Sequence, residues 1–270
     1  GVTHIIRGID LQDSAKRQQF VYDYFGWEYP EVIHWGHVQI DAYDVKMSTS
    51  TIKQLIADGE LDGWDDPRAP TLASLQRRGI RGPAIVEAMT ALGTSTSNVD
   101  LSMSAVYAAN RERVDPEADR YFLVRDGREV PVIGGPDAGH PPYHPEDEDR
   151  GRREVPVPGA VQIEADDLPP NGKRVWLKGY GCVRHTRDAF EYVGDDISAV
   201  REEGVPVVHW VPADDTVPVR MRTPDGDVTG AAEPDFADAV VDEVVQFERV
   251  GFARVDAHGD DESVVYWTHE

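Results

Sequence analysis

The sequence predicts a multidomain α+β protein whose first part is helical and whose second part is entirely β. Apolar residues recur at helical spacing between residues 14 and 92, which is typical of amphipathic helices. Beyond residue 111, short alternating runs are separated by turn dipeptides such as Asn171-Gly172 and Asp225-Gly226, a pattern that favours barrels or sandwiches. The 270 residues have room for more than one domain, and the 40% apolar fraction can fill their cores.

Four helices are predicted in the first part from apolar spacing and from signals at their ends. They cover residues 14–25, 50–61, 71–76 and 83–92. Thr71 is placed to cap the third helix, and Gly93 ends the fourth.

Eight short runs in the second part predict strands. They are residues 120–124, 155–157, 161–163, 174–177, 205–211, 217–221, 244–249 and 264–266. Residues 134–152 have no periodicity and are predicted to be a loop. Two barrels in series fit the strand count.

The charge balance indicates a salt-accumulating source. The chain has 31 Asp and 19 Glu against 22 Arg and only 5 Lys, a net charge of −23. Short carboxylates hold water and cations in concentrated salt, which also screens their mutual repulsion. An ordinary acidic mesophilic protein is the alternative. If the solvent explains the charge, an acidic balance does not exclude a nucleic-acid partner.

Cysteine and hydropathy exclude several classes of protein. Cys182 is the single cysteine, so an internal disulfide framework and a CxxC zinc site are both excluded. This fits a reducing, cytoplasmic setting. The sequence contains no run of about 18 apolar residues, so it predicts no membrane-spanning helix. No signal peptide is visible either.

Residues 46–50 read KMSTS, ahead of a predicted helix. A cation and short hydroxyl donors at a helix start can stabilise negative charge on a leaving pyrophosphate. The segment differs by one letter from KMSKS, and so resembles the ATP loop of class I aminoacyl-tRNA synthetases. The resemblance implies ATP binding by Lys46, Met47, Ser48, Thr49 and Ser50, with Lys46, Ser48 and Ser50 catalytic. The alternative is a capped helix start with Ser48 or Ser50 as the N-cap.

Further segments resemble the glutamyl and glutaminyl members of that class, in the family's order. Residues 63–79 read GWDDPRAPTLASLQRRG, residues 2–10 read VTHIIRGID, and residues 110–124, 194–214 and 245–256 resemble later family segments. The resemblance implies the C-terminal part of a class I catalytic fold over 1–62. It also implies a helical tRNA stem-contact region over 63–110 and all-β anticodon-binding barrels over 111–270.

The resemblance also implies substrates. His4, Arg7 and Gly8 lie in the turn that lines the family's amino-acid pocket, and Arg7 is a cation that could meet a carboxylate. This favours an archaeal-type glutamyl enzyme, with glutaminyl as the alternative. Glutamate, ATP with Mg²⁺ and tRNA(Glu) are then the expected substrates, and tRNA(Gln) stays open. A monomer with no protein-bound metal is expected.

The sequence departs from the family pattern at two places. Thr49 replaces the second lysine of KMSKS, which leaves open which cation meets the phosphates. The HIGH motif is missing, because the look-alike HWGH at 34–37 is separated from Lys46 by only eight residues and is predicted to be structural. The chain, which starts at Gly1, is therefore expected to be the C-terminal portion of a longer enzyme and inactive alone. A non-catalytic tRNA-binding fragment, or an unrelated acidic β-rich interaction protein, is the alternative.

Arginines and aromatic residues are the candidates for tRNA contact. Arg77, Arg78 and Arg81 form a basic cluster suited to phosphates, unless they pair with Asp65, Asp66 or Glu87. In the barrels, aromatic side chains could stack on unpaired bases, unless they belong to the cores. The barrel candidates are Arg120 and Tyr121, with Phe122, Trp210, Phe247 and Arg249.

Overall fold

The computed structural model describes residues 1–40, 43 and 48–270. In this part of the chain, a βαβ unit and a group of helices are followed by two β-sheets of seven strands each. The α+β architecture with a helical first part and barrel-like second part is therefore as the sequence predicts.

The chain begins with the βαβ unit. Strand β1 (His4–Gly8) pairs in parallel with β2 (Glu31–Trp35), and helix α1 (Gln12–Phe25) makes the crossover between them. Gly26 ends the helix in the left-handed conformation, at φ 65°, which glycine adopts without strain. The helix predicted over 14–25 is thus present and starts two residues earlier.

The βαβ unit leaves large apolar side chains exposed. Ile6 on β1 is 61% exposed, and Phe20 and Tyr24 on α1 are 73% and 84% exposed. Trp27 in the loop after α1 is 59% exposed and stacks on Phe25. A patch of this kind marks a surface suited to contact with another polypeptide.

Four more helices and two short strands complete the first part. They are β3 (Val38–Ile40), α2 (Thr49–Ala57), α3 (Leu72–Arg77), α4 (Gly82–Leu92), β4 (Val99–Leu101) and α5 (Met103–Val114). The Thr71 side chain caps α3 by accepting a hydrogen bond from the Ser74 N–H at 3.0 Å, as predicted. Helix α5 escaped the sequence analysis because Asn110 lies on its buried face and weakens the apolar pattern.

The second part is built of short strands and one short α-helix, with three 3-10 turns among them. In chain order they are β5 (Arg120–Tyr121), β6 (Leu123–Val124), β7 (Gly127–Ile133), β8 (Ala138–Gly139), β9 (Val155–Pro156), β10 (Ala160–Glu164), β11 (Arg174–Leu177), β12 (Gly181–Thr186), β13 (Ala189–Gly194), α6 (Ser198–Glu203), β14 (Val207–Val208), β15 (Val211–Pro212), β16 (Val217–Thr223), β17 (Gly226–Ala232), β18 (Val244–Phe247), β19 (Gly251–His258) and β20 (Ser263–His269).

The first barrel is the sheet ordered β14-β11-β12-β13-β7-β10-β15. Its two edge strands, β14 and β15, are separated by only two residues of chain. The strand predicted over 205–211 therefore divides between both edges and closes the sheet on itself. Trp210 lies between these strands and is fully buried, and its Nε1 donates to the Lys178 carbonyl at 3.0 Å.

The second barrel is the sheet ordered β5-β18-β19-β20-β16-β17-β6, and it is closed in the same way. Its edge strands β5 and β6 lie side by side in the chain, ahead of the whole first barrel. The first barrel is thus inserted between β6 and β16 of the second, and the expectation of two barrels in series is wrong. The reason is that pairing between residues about 100 positions apart leaves no local signal in the sequence.

Residues 121–124 fill both barrels. Successive side chains of an extended segment point in opposite directions. Tyr121 and Leu123 accordingly lie in the core of the second barrel, and Phe122 and Val124 lie in the core of the first. All four are at least 96% buried.

Truncating this shared segment tests whether the barrels unfold together. We expect Phe122→Ala to lower the free energy of unfolding by about 3–5 kcal/mol and Leu123→Ala by about 2–5 kcal/mol. Calorimetry in concentrated KCl should still record one transition for each variant, because this single segment contributes side chains to both cores. Val240→Ala, at an exposed site, is the control and should change stability by less than about 0.5 kcal/mol. Separate transitions for the two barrels would contradict the expectation.

Candidate nucleotide-binding and tRNA-binding sites

The predicted ATP segment ends at the start of helix α2. Lys46 and Met47 lie outside the described residues, whereas Ser48, Thr49 and Ser50 lie inside them. Ser48 is the N-cap residue of α2 in an extended conformation, and its side chain makes no capping hydrogen bond. Its hydroxyl instead lies 2.9 Å from that of Ser50. The first N–H groups of a nine-residue helix and two hydroxyls thus gather at one point, an arrangement that suits a phosphate.

The predicted amino-acid pocket lies on β1, but its residues do not share a face. His4 and Arg7 are three positions apart on a strand, so their side chains point to opposite sides. His4 Nε2 lies 3.3 Å from a Glu31 carboxylate oxygen. Arg7 is half-buried and donates to Gln18 Oε1 on α1 at 3.0 Å. Gly8 ends the strand opposite Trp35.

The carboxyl end of this small sheet carries polar atoms whose hydrogen bonds are not satisfied. Ligands of open α/β sheets bind at this edge. His34 Nε2 and Trp35 Nε1, at the end of β2, are buried and have no hydrogen-bond partner among the described residues. Of the HWGH segment, predicted to be part of a strand, His34 and Trp35 end β2, whereas Gly36 and His37 lie between β2 and β3. His34 stands opposite Arg7 in the register.

Arg77 and Arg78 belong to a joint between α3 and the second barrel. Arg77 donates to Asp256 on β19 at 3.0 Å and also to Asp65, and its guanidinium lies 4.6 Å from the centre of the Tyr266 ring. These contacts raise the pKa of Arg77 above its usual value, the hydrogen bond that it donates to Asp256 most of all. The alternative of pairing with Asp65 is thus correct for Arg77.

The expectation that Arg78 contacts a tRNA phosphate is wrong. Arg78 is completely buried, with its guanidinium bound to two carbonyls of β20 and to two tyrosine hydroxyls. A family motif with two adjacent arginines suggested a surface for RNA. The local pattern does not reveal that a strand some 190 residues away covers the second of them.

Arg81 is the arginine of the cluster that stays accessible. It is the N-cap residue of α4 and its side chain is 50% exposed, with Nη2 3.8 Å from Glu117. It lines two adjoining grooves of about 780 and 470 Å³ between the helices and the second barrel. The first turn of α4 carries no acidic residue. A half-exposed cation beside a positive helix end keeps Arg81 a candidate for a phosphate contact.

The predicted base-stacking residues are core residues. Arg120 is 6% exposed and bonded to Asp115, and Tyr121 is 4% exposed. Phe122, Trp210 and Phe247 are fully buried. The expectation that Arg120 and Tyr121 contact tRNA is therefore wrong, because both side chains fill the interior of the second barrel or its edge. Arg249 is half-exposed but donates to Asp167 at 2.9 Å, which joins the two barrels.

Sequence analysis missed the basic face of the first barrel. Residues 168–194 contain five Lys and Arg but two Asp and Glu, a local charge of +3 in a chain of −23. They form strands β11 to β13, where Arg174 stands directly opposite Arg184. Arg174 pairs with Glu203 and Lys178 with Glu248. The exposed residues of this face, called here the basic face, are Lys173, Arg184 and Arg187.

The basic face is unusual because like charges opposite each other in a sheet repel. Glu191 stands across from Arg184 on its other side, but within the described ranges no residue of the basic face forms an ion pair. Part of the repulsion is already offset, because Arg174 pairs with Glu203. A window-by-window charge count of the sequence could have found this face.

Asp66 organises the GWDDPR segment. Its carboxylate accepts hydrogen bonds from the N–H groups of Asp62 and Arg68, both at 2.9 Å, and from the Arg68 guanidinium at 2.6 and 2.9 Å. Burial acts to raise the pKa of Asp66, but these hydrogen bonds outweigh it and lower the pKa to about 2. The motif therefore has a structural purpose at this residue.

The described part of the chain contains neither a metal-binding group nor a membrane-spanning helix. No group of three or more His, Cys, Asp or Glu is arranged to hold a metal ion there. No helix there has the length and apolar character needed to cross a bilayer.

Three family models match consecutive parts of the chain. Residues 1–116 match the catalytic domain of class I tRNA synthetases (E and Q), and residues 118–201 and 207–256 match two anticodon-binding domains of the same class. The matched catalytic segment contains the ATP segment and the arginine joint. The matched anticodon-binding segments coincide with most of the two barrels.

Curated relatives match along the whole chain. Proteins called glutamate–tRNA ligase are 70% identical in Natronomonas pharaonis, 68% in Haloarcula marismortui and 41% in Methanosarcina barkeri. Each alignment covers 100% of this chain but only 47–48% of the relative. The chain thus spans about half the length of the curated relatives it matches. Two of these relatives are halophiles, which supports the interpretation of the charge.

Replacing Asp66 tests the structural interpretation of its motif. A carboxylate whose pKa falls from 3.8 to about 2 on folding stabilises the folded state by about 2.5 kcal/mol. We expect Asp66→Asn to lose about this free energy at neutral pH, measured by denaturant unfolding. Because the folded pKa is depressed, the contribution is present above pH 4 and disappears as the pH falls through about 2.

The difference between wild type and Asp66→Asn should therefore shrink between pH 4 and pH 2. Asp58→Asn, at an exposed residue with no comparable set of donors, is the matched control and should change little. An Asp66→Asn effect that stays constant with pH would contradict the expectation.

Proposed function

Because this chain belongs to the class I glutamyl and glutaminyl tRNA synthetase family, we propose that it is the ATP-segment and tRNA-reading half of a glutamate–tRNA ligase. The supporting observation is that one chain joins the segment 46–50 and its helix to two barrels of the anticodon-binding type. Its relatives are called glutamate–tRNA ligase, which favours the glutamyl over the glutaminyl alternative. An unrelated acidic interaction protein is excluded by the family match.

The proposed reaction begins with activation of glutamate by ATP. The glutamate carboxylate attacks the α-phosphate, and pyrophosphate leaves. A hydroxyl of the tRNA then attacks the glutamyl adenylate, so that glutamate passes to the tRNA and AMP leaves. Lys46 and the start of α2, with Ser48, Thr49 and Ser50, would stabilise the charge that develops on pyrophosphate. Mg²⁺ would arrive with ATP as part of the substrate.

The amino-acid pocket would lie at the carboxyl end of β1 and β2. Arg7 would bind a glutamate carboxylate after leaving Gln18, and Gly8 would leave room beside it. His4 points to the other face of β1, where it would contact the other half of the ligase. The exposed apolar side chains of the βαβ unit supply a surface on which the other half of the ligase can pack.

The barrels would bind the anticodon arm of tRNA(Glu) through the basic face. Lys173, Arg184 and Arg187 can donate charge-assisted hydrogen bonds to phosphates and to base edges. Arg81 would contact the inner side of the tRNA, in the groove between helices and barrel. Whether tRNA(Gln) is a second substrate stays a prediction, as do the monomeric state and a cytoplasmic location.

The division into 1–62, 63–110 and 111–270 also stays a proposal. The groove at Arg81 lies between the second and third of these parts. In the structure, the boundary after residue 110 falls within helix α5, so a boundary after that helix would divide the chain between elements.

Binding of RNA tests the role of the basic face. We expect Arg184→Ala with Arg187→Ala to weaken binding of labelled tRNA(Glu) by at least about tenfold, because each lost charge-assisted hydrogen bond is worth about 1.5–3 kcal/mol. Fluorescence anisotropy in concentrated KCl measures it. Arg17→Ala, an exposed arginine on α1, is the control and should bind as wild type does.

A tRNA with a substituted anticodon completes this experiment. It should bind wild type as weakly as tRNA(Glu) binds the double variant. Equal binding of both tRNAs by wild type, or no effect of the double variant, would contradict a reading role for this face.

Complementation tests the ligase activity. The first half of the Natronomonas pharaonis relative, mixed with this chain or fused ahead of it, should transfer glutamate to tRNA(Glu), whereas neither part alone should do so. In the active mixture, Lys46→Ala should lower kcat by about 10²-fold or more, as for loss of a donor aimed at developing charge. Lys16→Ala is the control. Full activity of the Lys46 variant would contradict the proposed role of the segment.

A further inference from the structure

The hairpin that joins β12 to β13 closes with an unusual two-residue turn. Thr186 pairs with Ala189, so Arg187 and Asp188 alone connect the two strands. Two-residue hairpin turns need a positive φ at their first central residue, where glycine or asparagine is favoured. Arg187 occupies this position with a φ of 58°. A residue with a long side chain is strained in this left-handed conformation.

Contacts of the Arg187 side chain do not explain this strain. The residue is exposed, and its guanidinium has neither an ion pair nor a hydrogen bond among the residues that the structure describes. Arg249 is also left-handed, with a φ of 65°, but its guanidinium is bound by Asp167 and joins the two barrels. The strain at Arg249 is thus offset by an internal contact. Strain that no internal contact offsets, as at Arg187, indicates a ligand.

Asn171, in the loop ahead of β11, holds the turn in its left-handed conformation. Its Oδ1 accepts a hydrogen bond from the backbone N–H of Arg187 at 2.7 Å. The backbone next to Asn171 is itself fixed, because the Gly172 N–H donates to the carbonyl of the buried His185 at 2.6 Å. Asn171 therefore secures the main chain of Arg187 and leaves its exposed guanidinium unbound.

The charges around this turn suit a polyanion. Lys173 follows Asn171 by two residues, and Arg184 precedes Arg187 by three. The three cations are exposed and have no ion-pair partner in the described ranges, and neither has Asp188 in the turn. A guanidinium offers a planar fork of donors that matches the oxygens of a phosphate. A phosphate of an RNA backbone is thus the chemistry that Arg187 fits.

We infer that Asn171 is a positioning residue, which holds Arg187 in a left-handed turn so that its guanidinium meets a phosphate of the bound RNA. The inference rests on the proposed function, since it takes the basic face as an RNA surface. It has a consequence that a merely structural turn lacks. At residue 187, glycine would give the more stable protein and arginine the better RNA ligand, so stability and binding oppose each other there.

Two substitutions of Arg187 separate strain from binding. Arg187→Gly and Arg187→Ala both remove the guanidinium, but only glycine relieves the strain. We expect both variants to bind labelled tRNA(Glu) about tenfold more weakly than wild type, by fluorescence anisotropy in concentrated KCl. The thermal midpoint of Arg187→Gly should exceed that of Arg187→Ala by about 2–4 °C.

A double-mutant cycle tests whether Asn171 acts through Arg187. Asn171→Ala removes the hydrogen-bond acceptor and changes no charge. Alone, it should weaken tRNA(Glu) binding by about three- to tenfold, because the guanidinium is no longer held in one place. In the Arg187→Ala background it should change the dissociation constant by less than about twofold. A merely structural role predicts the same factor in both backgrounds.

The second barrel offers a matched control. Its β16–β17 hairpin also closes with a two-residue turn, since Thr223 pairs with Gly226. The Thr223 hydroxyl accepts a hydrogen bond from the Asp225 N–H at 3.1 Å, and the turn carries no cation. Thr223→Val removes this bond. It should lower the thermal midpoint about as much as Asn171→Ala does and leave tRNA(Glu) binding unchanged.

Four results would overturn the inference. They are unchanged binding by Asn171→Ala, an equal effect of that substitution in both backgrounds, equal thermal midpoints of the two Arg187 variants, and weakened binding by Thr223→Val. The proposed function would still stand in each case if Arg184→Ala weakens binding of tRNA(Glu). Absence of tRNA binding by the wild type would overturn the proposed function, and the inference with it.

Discussion

The shared segment of residues 121–124, together with Arg120 ahead of it, is the constraint on which the rest of the β region depends. It closes the second barrel at both edges, and its alternating side chains fill two cores. Glu233 secures it from the second barrel by accepting the Phe122 N–H at 2.9 Å, and it also binds the fully buried Arg153. Such a pair is costly to bury and costly to break. This segment and the ion pairs of Arg153 and Arg249 therefore fix the barrels relative to each other, and any RNA surface built across them is fixed as well.

Four arginines of this acidic chain lie at its joints. Arg153 and Arg249 connect the two barrels, and Arg77 and Arg78 connect α3 to the second barrel. Concentrated salt screens exposed pairs far more than buried ones, so a protein that works in such salt gains most from placing its cations inside. This explains why arginines predicted to meet RNA turned out to hold domains together. The exposed cations of the basic face, which hold no joint together, are therefore the better candidates for RNA contact.

The sequence predicted elements whose causes are local. Helix α1 and the Thr71 cap follow from spacing and from neighbouring residues, and the all-β second part follows from its turns. The nesting of the barrels and the burial of Arg78 depend on contacts about 100 and 190 residues apart, which leave no local pattern. Tyr121 shows the same limit at the site: an aromatic residue on a short strand suits a base platform and a core equally well, and only the closed sheet decides between them.

The family segment at 63–79 is recognisable because it builds joints. Asp66 orders the loop that contains it, and Arg77, Arg78 and Gly79 fit the second barrel against the helices. None of these four residues has a group free for the reaction in this structure. The chemistry would instead fall to the short segment 46–50, whose described residues Ser48, Thr49 and Ser50 lie at the start of α2. Substitutions at the joints should therefore act on catalysis through geometry and stability, whereas a substitution at Lys46 should act on the reacting phosphates directly.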